Sequence, residues 1–317
     1  MSMSSDGAAL IAYAIAAIVT CALTPLARWF AKRSGAIDQP NDRKMHKKPL
    51  PTSGGVAILG GCLAAAWLAG ASHHVQMHLS AITMGAVLVA LIGFVDDRID
   101  LPAKLKLVLQ IIATAPLLIA GATISLVSNP FSHGIVFLPV WLAGAVTVVW
   151  VVSVTNAINL IDGLDGLAAG VSAISCVALA FIAMNWGQPG AALLCAAIAG
   201  AAVGFLPWNW HPAGILMGDT GAYFLGYMIA AATVIGAFKM AAAIAIFVPI
   251  LVLAVPLLDT VLSPVRRVLT GKHPFQADRD HLHHRLISLG LAETRVVGLT
   301  YAVTAICGAV AIWISRH

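Results

Sequence analysis

Charge is scarce in this sequence. Only 10% of its 317 residues are charged, against 60% hydrophobic. Soluble globular domains carry about 25% charged residues, so the composition excludes an ordinary soluble enzyme. A disordered chain is excluded too, because disorder needs low hydrophobicity and high net charge. Cysteine is also sparse: the five (Cys21, Cys62, Cys176, Cys195, Cys307) lie scattered in apolar segments without a CxxC pair. They give no disulfide framework and read as small core residues. Residues 1–27 hold no Lys or Arg. A cleaved signal peptide needs a positive n-region, so the start reads as a retained first span with its N-terminus outside.

Long apolar runs are abundant. One helical crossing takes about 20 apolar residues. Ten segments qualify, near 8–28, 53–71, 79–95, 105–122, 135–155, 167–186, 190–206, 220–237, 241–262 and 296–314. The expected fold is all-α and polytopic, with about ten transmembrane helices in one membrane-embedded domain over 1–317. Alternation from an outside N-terminus places loops 29–52, 96–104, 156–166, 207–219 and 263–295 inside, and the C-terminus outside. The charges agree: of the 18 Lys and Arg, all but Lys239 and Arg316 lie in or beside those loops. That is the positive-inside pattern. The net charge of +5 therefore reads as a topology signal rather than as nucleic-acid binding.

Acidic residues contribute little to orientation, yet all but Asp6 also fall on or near the inner side. A metal site is the natural reason. GFVDDRID puts Asp96, Asp97 and Asp100 at the end of the third span, with Lys104 and Lys106 close behind. Adjacent carboxylates at a membrane edge are costly unless solvated or paired with cations. Mg²⁺ commonly bridges one or two carboxylates to substrate phosphates. NAINLIDGLDGLAAG carries Asn156, Asn159, Asp162 and Asp165. The spacing of three could stack oxygens along a helix, whereas the glycines favour an opened turn. Asp219, in MGDTG, is either a helix N-cap or a metal ligand.

FQADRDHLHHRL packs Arg279, His281, His283, His284 and Arg285 closely, beside Asp278 and Asp280. It matches no zinc signature, but Arg and His suit a diphosphate. DQPNDRKMHKKPLPTSGG adds Arg43, Lys44, His46, Lys47 and Lys48, which attract anionic lipid. Five inner loops thus carry polar motifs, and the outer loops almost none. A transporter would place its ionisable groups near the bilayer midplane, and these sit at one edge. An intramembrane aspartyl protease needs two opposed Asp, and Asp259 alone lies well inside an apolar run. A lipid-binding scaffold has no need of Asn159 and Asp219 beside a His cluster.

These five ordered motifs resemble those of the polyprenyl-phosphate N-acetylhexosamine-1-phosphate transferases, and the likeness covers nearly the whole chain. DQPNDRKMHKKPLPTSGG and the HLHH run resemble the WecA/TagO-like branch. The resemblance implies a bacterial inner-membrane enzyme with a cytoplasmic active site. Its substrates would be a UDP-N-acetylhexosamine, most simply UDP-GlcNAc, and undecaprenyl phosphate, with UMP released. It implies Mg²⁺, with Mn²⁺ as substitute, on Asn159 and Asp219. It sets Asp96 and Asp97 near the acceptor phosphate, and Lys106 with Arg279, His281, His283, His284 and Arg285 on the diphosphate. Asp162 and Asp165 would border the nucleotide, and Lys44, His46 and Asn156 would also contact substrate. Direct attack by the lipid phosphate and a covalent aspartyl intermediate both fit. A homodimer is compatible.

Overall fold

The structure is a computed structural model, and it describes residues 5–40, 48–69, 73–128, 135–237, 250–258 and 286–316. The helices are α1 (Ser5–Ser34), α2 (Gly54–Ala69), α3 (His73–Ile99), α4 (Ala103–Ile119), α5 (Val140–Ile161), α6 (Leu167–Asn185), α7 (Pro189–Asn209), α8 (Gly218–Ala237) and α9 (Glu293–Ile314). Each coincides with one expected apolar segment. The remaining segment, 241–262, lies mostly outside the described residues.

Among the described residues, six helices are long and apolar enough to cross a membrane: α1, α3, α5, α6, α7 and α9. The sequence expectation was ten. At 16 and 17 described residues, α2 and α4 rise about 24 to 26 Å, at the lower end of the length a crossing takes. Within the bundle, α8 is buried along nearly its whole length. The fifth segment also starts later than expected. Residues Ile135–Phe137 form β4, antiparallel to β3 (Leu126–Ser128) with Val136 opposite Val127. Pro139, which has no amide N–H to donate, then precedes α5.

The bundle is built on small residues. α1 packs on α7 and α2, α6 on α7 and α9, and α8 against α3 and α5. Gly200 and Gly204, one turn apart on α7, face the Tyr13 and Ala17 carbonyls of α1, and a Cβ at either would overlap those oxygens. Lipid supplies no hydrophobic drive between helices, so close van der Waals contact of this small-xxx-small kind must hold them. The outward faces are apolar: Ile119 is 84% exposed and Val140 88%. In water such faces would be an aggregation hazard; in a bilayer they meet their solvent.

At one end, β1 (Ile37–Asp38) pairs with β2 (Leu50–Pro51) antiparallel. Thr52 forms a parallel bridge to Leu216, and the Gly54 amide donates to the Leu216 carbonyl at 3.0 Å. These contacts pin the start of α2 to the segment entering α8.

Candidate active site

α3 and α8 meet through a residue without a side chain. Gly93 lies on the Asp219–Thr220 peptide, where a Cβ would sit 2.5 Å from the Asp219 carbonyl oxygen. One turn on, the Asp97 carboxylate reaches the first turn of α8. Its Oδ1 accepts from the Asp219 amide at 2.8 Å. Its Oδ2 accepts from the Thr220 amide at 3.2 Å and the Thr220 hydroxyl at 2.7 Å. Helix N-termini leave amide donors unsatisfied and favour negative charge. Asp97 therefore caps α8 from another helix. Asp219 is not the N-cap that its position in sequence allowed; it lies within the first turn.

Asp96, next to Asp97, points about 100° away around the helix and is buried. Its Oδ1 accepts the Leu101 amide at 2.8 Å. Its Oδ2 accepts the Tyr223 hydroxyl at 3.0 Å and pairs with Lys106 Nζ at 2.8 Å. Lys106, on α4, also reaches Asp100 at 3.6 Å. Asp100 itself ends α3 with φ +48°, a left-handed conformation that Asp tolerates.

On the last turn of α5, Asn159 Nδ2 donates to Asp219 Oδ1 at 2.7 Å. The Asp219 carboxyl also neighbours that of Asp96. Asp162 follows in the turn after α5. Burial pushes its carboxyl well above the usual carboxylate range, and the charges of Asp219, Asp97 and Asp165 push the same way. Of Asp96, Asp97, Asp162 and Asp219, Asp96 alone is in salt-bridge contact with a cation, Lys106, among the described residues.

Among the described residues no three His, Cys, Asp or Glu side chains group as a ready metal site, so a hard cation would have to draw on Asn159 and Asp219 with oxygens from a ligand. Crowded carboxylates need positive charge, and Mg²⁺ takes oxygen ligands. Asp219 has a second oxygen to offer, and Asn159 turns its NH₂, leaving the amide oxygen for a ligand.

The opened-turn alternative holds for residues 162–166: Gly166 has φ +76° and α6 begins at Leu167. Asp165 leaves the cluster there. Its Oδ2 meets His211 Nδ1 at 3.0 Å and the Ala213 amide at 2.9 Å, and His211 also approaches Glu293 at 3.5 Å. Asn209 accepts from the Gly166 amide and donates to the Ile215 carbonyl, both at 3.0 Å. These bonds fasten the segment before α8 to the turn after α5. Asn156 also lies apart from the carboxylates in its bonding: it donates to Gln110 Oε1 on α4 at 2.6 Å and to the Val152 carbonyl at 2.8 Å. Lys44, His46, Arg279, His281, His283, His284 and Arg285 lie outside the described residues.

Sequence reading missed Thr220, Tyr223, Asn209 and His211. Tyr223 had a usable signal: four residues after Asp219, it falls on the same face of α8.

The model of the family described as "Glycosyl transferase family 4" matches residues 79–237, a span holding every carboxylate of the cluster. A Bacillus subtilis protein named "Probable undecaprenyl-phosphate N-acetylglucosaminyl 1-phosphate transferase" is 37% identical over 314 residues, covering 96% of this chain and 87% of its own. The chain belongs to glycosyl transferase family 4. It is therefore a membrane transferase. A Mycobacterium tuberculosis member named "Decaprenyl-phosphate N-acetylglucosaminephosphotransferase" is 35% identical, with 90% of this chain and 77% of that one aligned. An Escherichia coli member named "Undecaprenyl-phosphate alpha-N-acetylglucosaminyl 1-phosphate transferase" is 26% identical, with 90% and 78% aligned.

Proposed function

We propose that this chain transfers GlcNAc 1-phosphate from UDP-GlcNAc to undecaprenyl phosphate, releasing UMP and starting a lipid-linked envelope glycan. The reaction would run at the cytoplasmic face of a bacterial inner membrane, with both termini outside. The observation that carries the reading is the convergence of Asp96, Asp97, Asp162, Asp219, Asn159 and Lys106 at one end of an apolar bundle. The family's GlcNAc-1-phosphate transferases, aligned over 90 to 96% of this chain, supply the substrate class.

Phosphoryl transfer is mostly positioning and charge neutralisation. Asn159 and Asp219 would hold Mg²⁺, or Mn²⁺ in its place, which supplies Lewis-acid neutralisation of diphosphate charge. Lys106 can exchange its bond from Asp96 to an incoming phosphate oxygen. A phosphate monoester has its second pKa near 6, so the acceptor is largely dianionic at neutral pH. Asp96 then orients the acceptor together with Lys106 and has little proton to remove. Asp97 spends both oxygens on the start of α8 and is poorly placed as a nucleophile. This favours direct attack by the lipid phosphate over an aspartyl intermediate, and direct attack predicts inversion at phosphorus.

The test uses purified protein in detergent with undecaprenyl phosphate and Mg²⁺, offering UDP-GlcNAc, UDP-GalNAc and UDP-MurNAc-pentapeptide separately. The expected result is UMP from UDP-GlcNAc alone, abolished by chelator and by Asp219→Ala. UMP from another donor would overturn the sugar assignment. No UMP from any donor, with folded protein, would overturn the reaction.

A further inference from the structure

Two donors converge on one oxygen of a buried carboxylate. Asp96 Oδ2 accepts from Lys106 Nζ at 2.8 Å and from the Tyr223 hydroxyl at 3.0 Å, while Oδ1 accepts the Leu101 amide at 2.8 Å. These partners come from α4, from α8 and from the turn after α3. Tyr223 is 2% exposed and the Asp96 side chain 1%, so bulk water cannot stand in for a missing donor. The Lys106 side chain, 23% exposed, is the partner within reach of an incoming group.

The proposed function draws Lys106 away from Asp96 to a phosphate oxygen. Opening a buried ion pair is costly, because it leaves one charge uncompensated. When Lys106 leaves, the Tyr223 hydroxyl still serves Oδ2 and the Leu101 amide still serves Oδ1. Hydrogen bonds to an ionised acceptor are among the strong ones. Tyr223 therefore makes the opening cheaper and holds the carboxylate in one orientation through it.

Tyr227 supplies the contrast. It lies one turn further along the same face of α8 and is fully buried. Its hydroxyl sits where a Cβ on Gly85 of α3 would fall, and it has no hydrogen-bond partner among the described residues. Ring volume alone accounts for tyrosine at 227. At 223 the hydroxyl is committed to the acid that faces Lys106.

We infer that Tyr223 is a positioning residue that acts through Asp96, keeping the carboxylate aimed and hydrogen-bonded while Lys106 moves onto the substrate phosphate. The inference rests on the proposed function for the step that draws Lys106 away. The hydroxyl keeps its proton throughout. In the resting protein Lys106 already serves Oδ2, so loss of the hydroxyl is felt when the pair opens and hardly at all before.

Two measurements on the full chain in detergent test this, with Tyr223→Phe as the variant and Tyr227→Phe as its matched control. The first is UMP release with Mg²⁺, UDP-GlcNAc and undecaprenyl phosphate. Tyr223→Phe is expected to lower kcat about tenfold with both KM values held, the signature of an interaction made only on the way to the transition state. Its thermal unfolding should match that of wild type, and Tyr227→Phe should keep wild-type kinetics. Unchanged kcat in Tyr223→Phe overturns the inference. So do equal losses in both variants, or a loss that tracks unfolding, since ring packing would then explain them.

The second measurement needs no turnover. Lys106 is acetylated with acetic anhydride in the absence of substrate, and the rate is read by peptide mass spectrometry against Lys104. If the hydroxyl eases opening of the pair, Lys106 in Tyr223→Phe should react about tenfold more slowly, the fold-change of one hydrogen bond to a charged group. An equal or faster rate would mean that the substitution only made room, and overturns the inference. Wild type that releases no UMP overturns the proposed function, and the Lys106 rate then decides separately whether Tyr223 eases the opening of the pair.

Discussion

The polar end of this bundle and its apolar middle solve opposite problems. In the middle, α7 lies on α1 with Gly200 and Gly204 against backbone carbonyls. Specificity there is steric, and few polar groups take part. At the polar end, Asp96, Asp97, Asn159 and Asp219 bring oxygens together that repel one another. Close approach serves this end too, since Gly93 lets α3 touch the Asp219–Thr220 peptide. The same device, glycine against backbone, holds helices together in one region and aims carboxylates in the other. Only at the polar end is the result electrostatically unfavourable without a cation. Stability and function should therefore separate along the bundle axis.

The largest break in that comparison is Gly204→Leu. Overpacking typically costs about 1 to 3 kcal/mol, occasionally more, and here backbone rather than a side chain must move. We expect loss of folded protein by detergent size-exclusion and thermal unfolding, with any surviving fraction keeping its substrate KM values. Full stability would show that α1 and α7 can part without cost.

Next is Asp97→Asn, which places an amide NH₂ where three donors now converge. Losing a charged cap and leaving donors unpaired costs about 1 to 3 kcal/mol. Because Asp219 moves with the start of α8, kcat should also fall about 100-fold. A fall in kcat with unchanged stability would instead make Asp97 a reacting group.

Third is pH. Burial and neighbouring carboxylates raise the Asp162 pKa, so the folded state holds its proton above the unfolded value of about 3.9. The folded chain then binds more protons than the unfolded one between those two values, and stability falls as pH rises through that window. In chelator, thermal unfolding of wild type should drop with rising pH, and Asp162→Asn should flatten the slope. Mg²⁺ should flatten it as well, by holding the carboxylates ionised. A slope unaltered by the substitution would remove Asp162 from the cluster's charge balance.

The smallest effect is Tyr301→Phe, which deletes a 2.6 Å bond from the Tyr301 hydroxyl to the Gly166 carbonyl. We expect about 1 kcal/mol lost, read by thermal unfolding, and little change in kcat. A large kcat effect would mean that the turn after α5 is positioned from α9.

The sequence was most legible where physics is local. Apolar runs placed the helices, because a bilayer demands them. Charges gave an expected sidedness, and DDRID, the Asn159–Asp165 stretch and Asp219 marked one end of the bundle. Residues whose roles come from partners were illegible. Asn156 looked like a member of the motif beside Asn159, yet it bonds Gln110 of α4. Asp165 looked like Asp162, yet it bonds His211. Both had the right residue type and spacing, but not the partner.

Asp96 and Asp97 show the same division. The sequence by itself determined that this is a membrane bundle of glycosyl transferase family 4 with acids at one edge. Composition, periodicity and motif order carry that information along the chain. Only tertiary structure decided that Asp97 caps α8 while Asp96 pairs with Lys106. Adjacent residues on a helix diverge by about 100°, so each meets whatever its own side offers. What Asp97 meets is an amide 122 positions away, brought there by a glycine on one helix and the unsatisfied first turn of another.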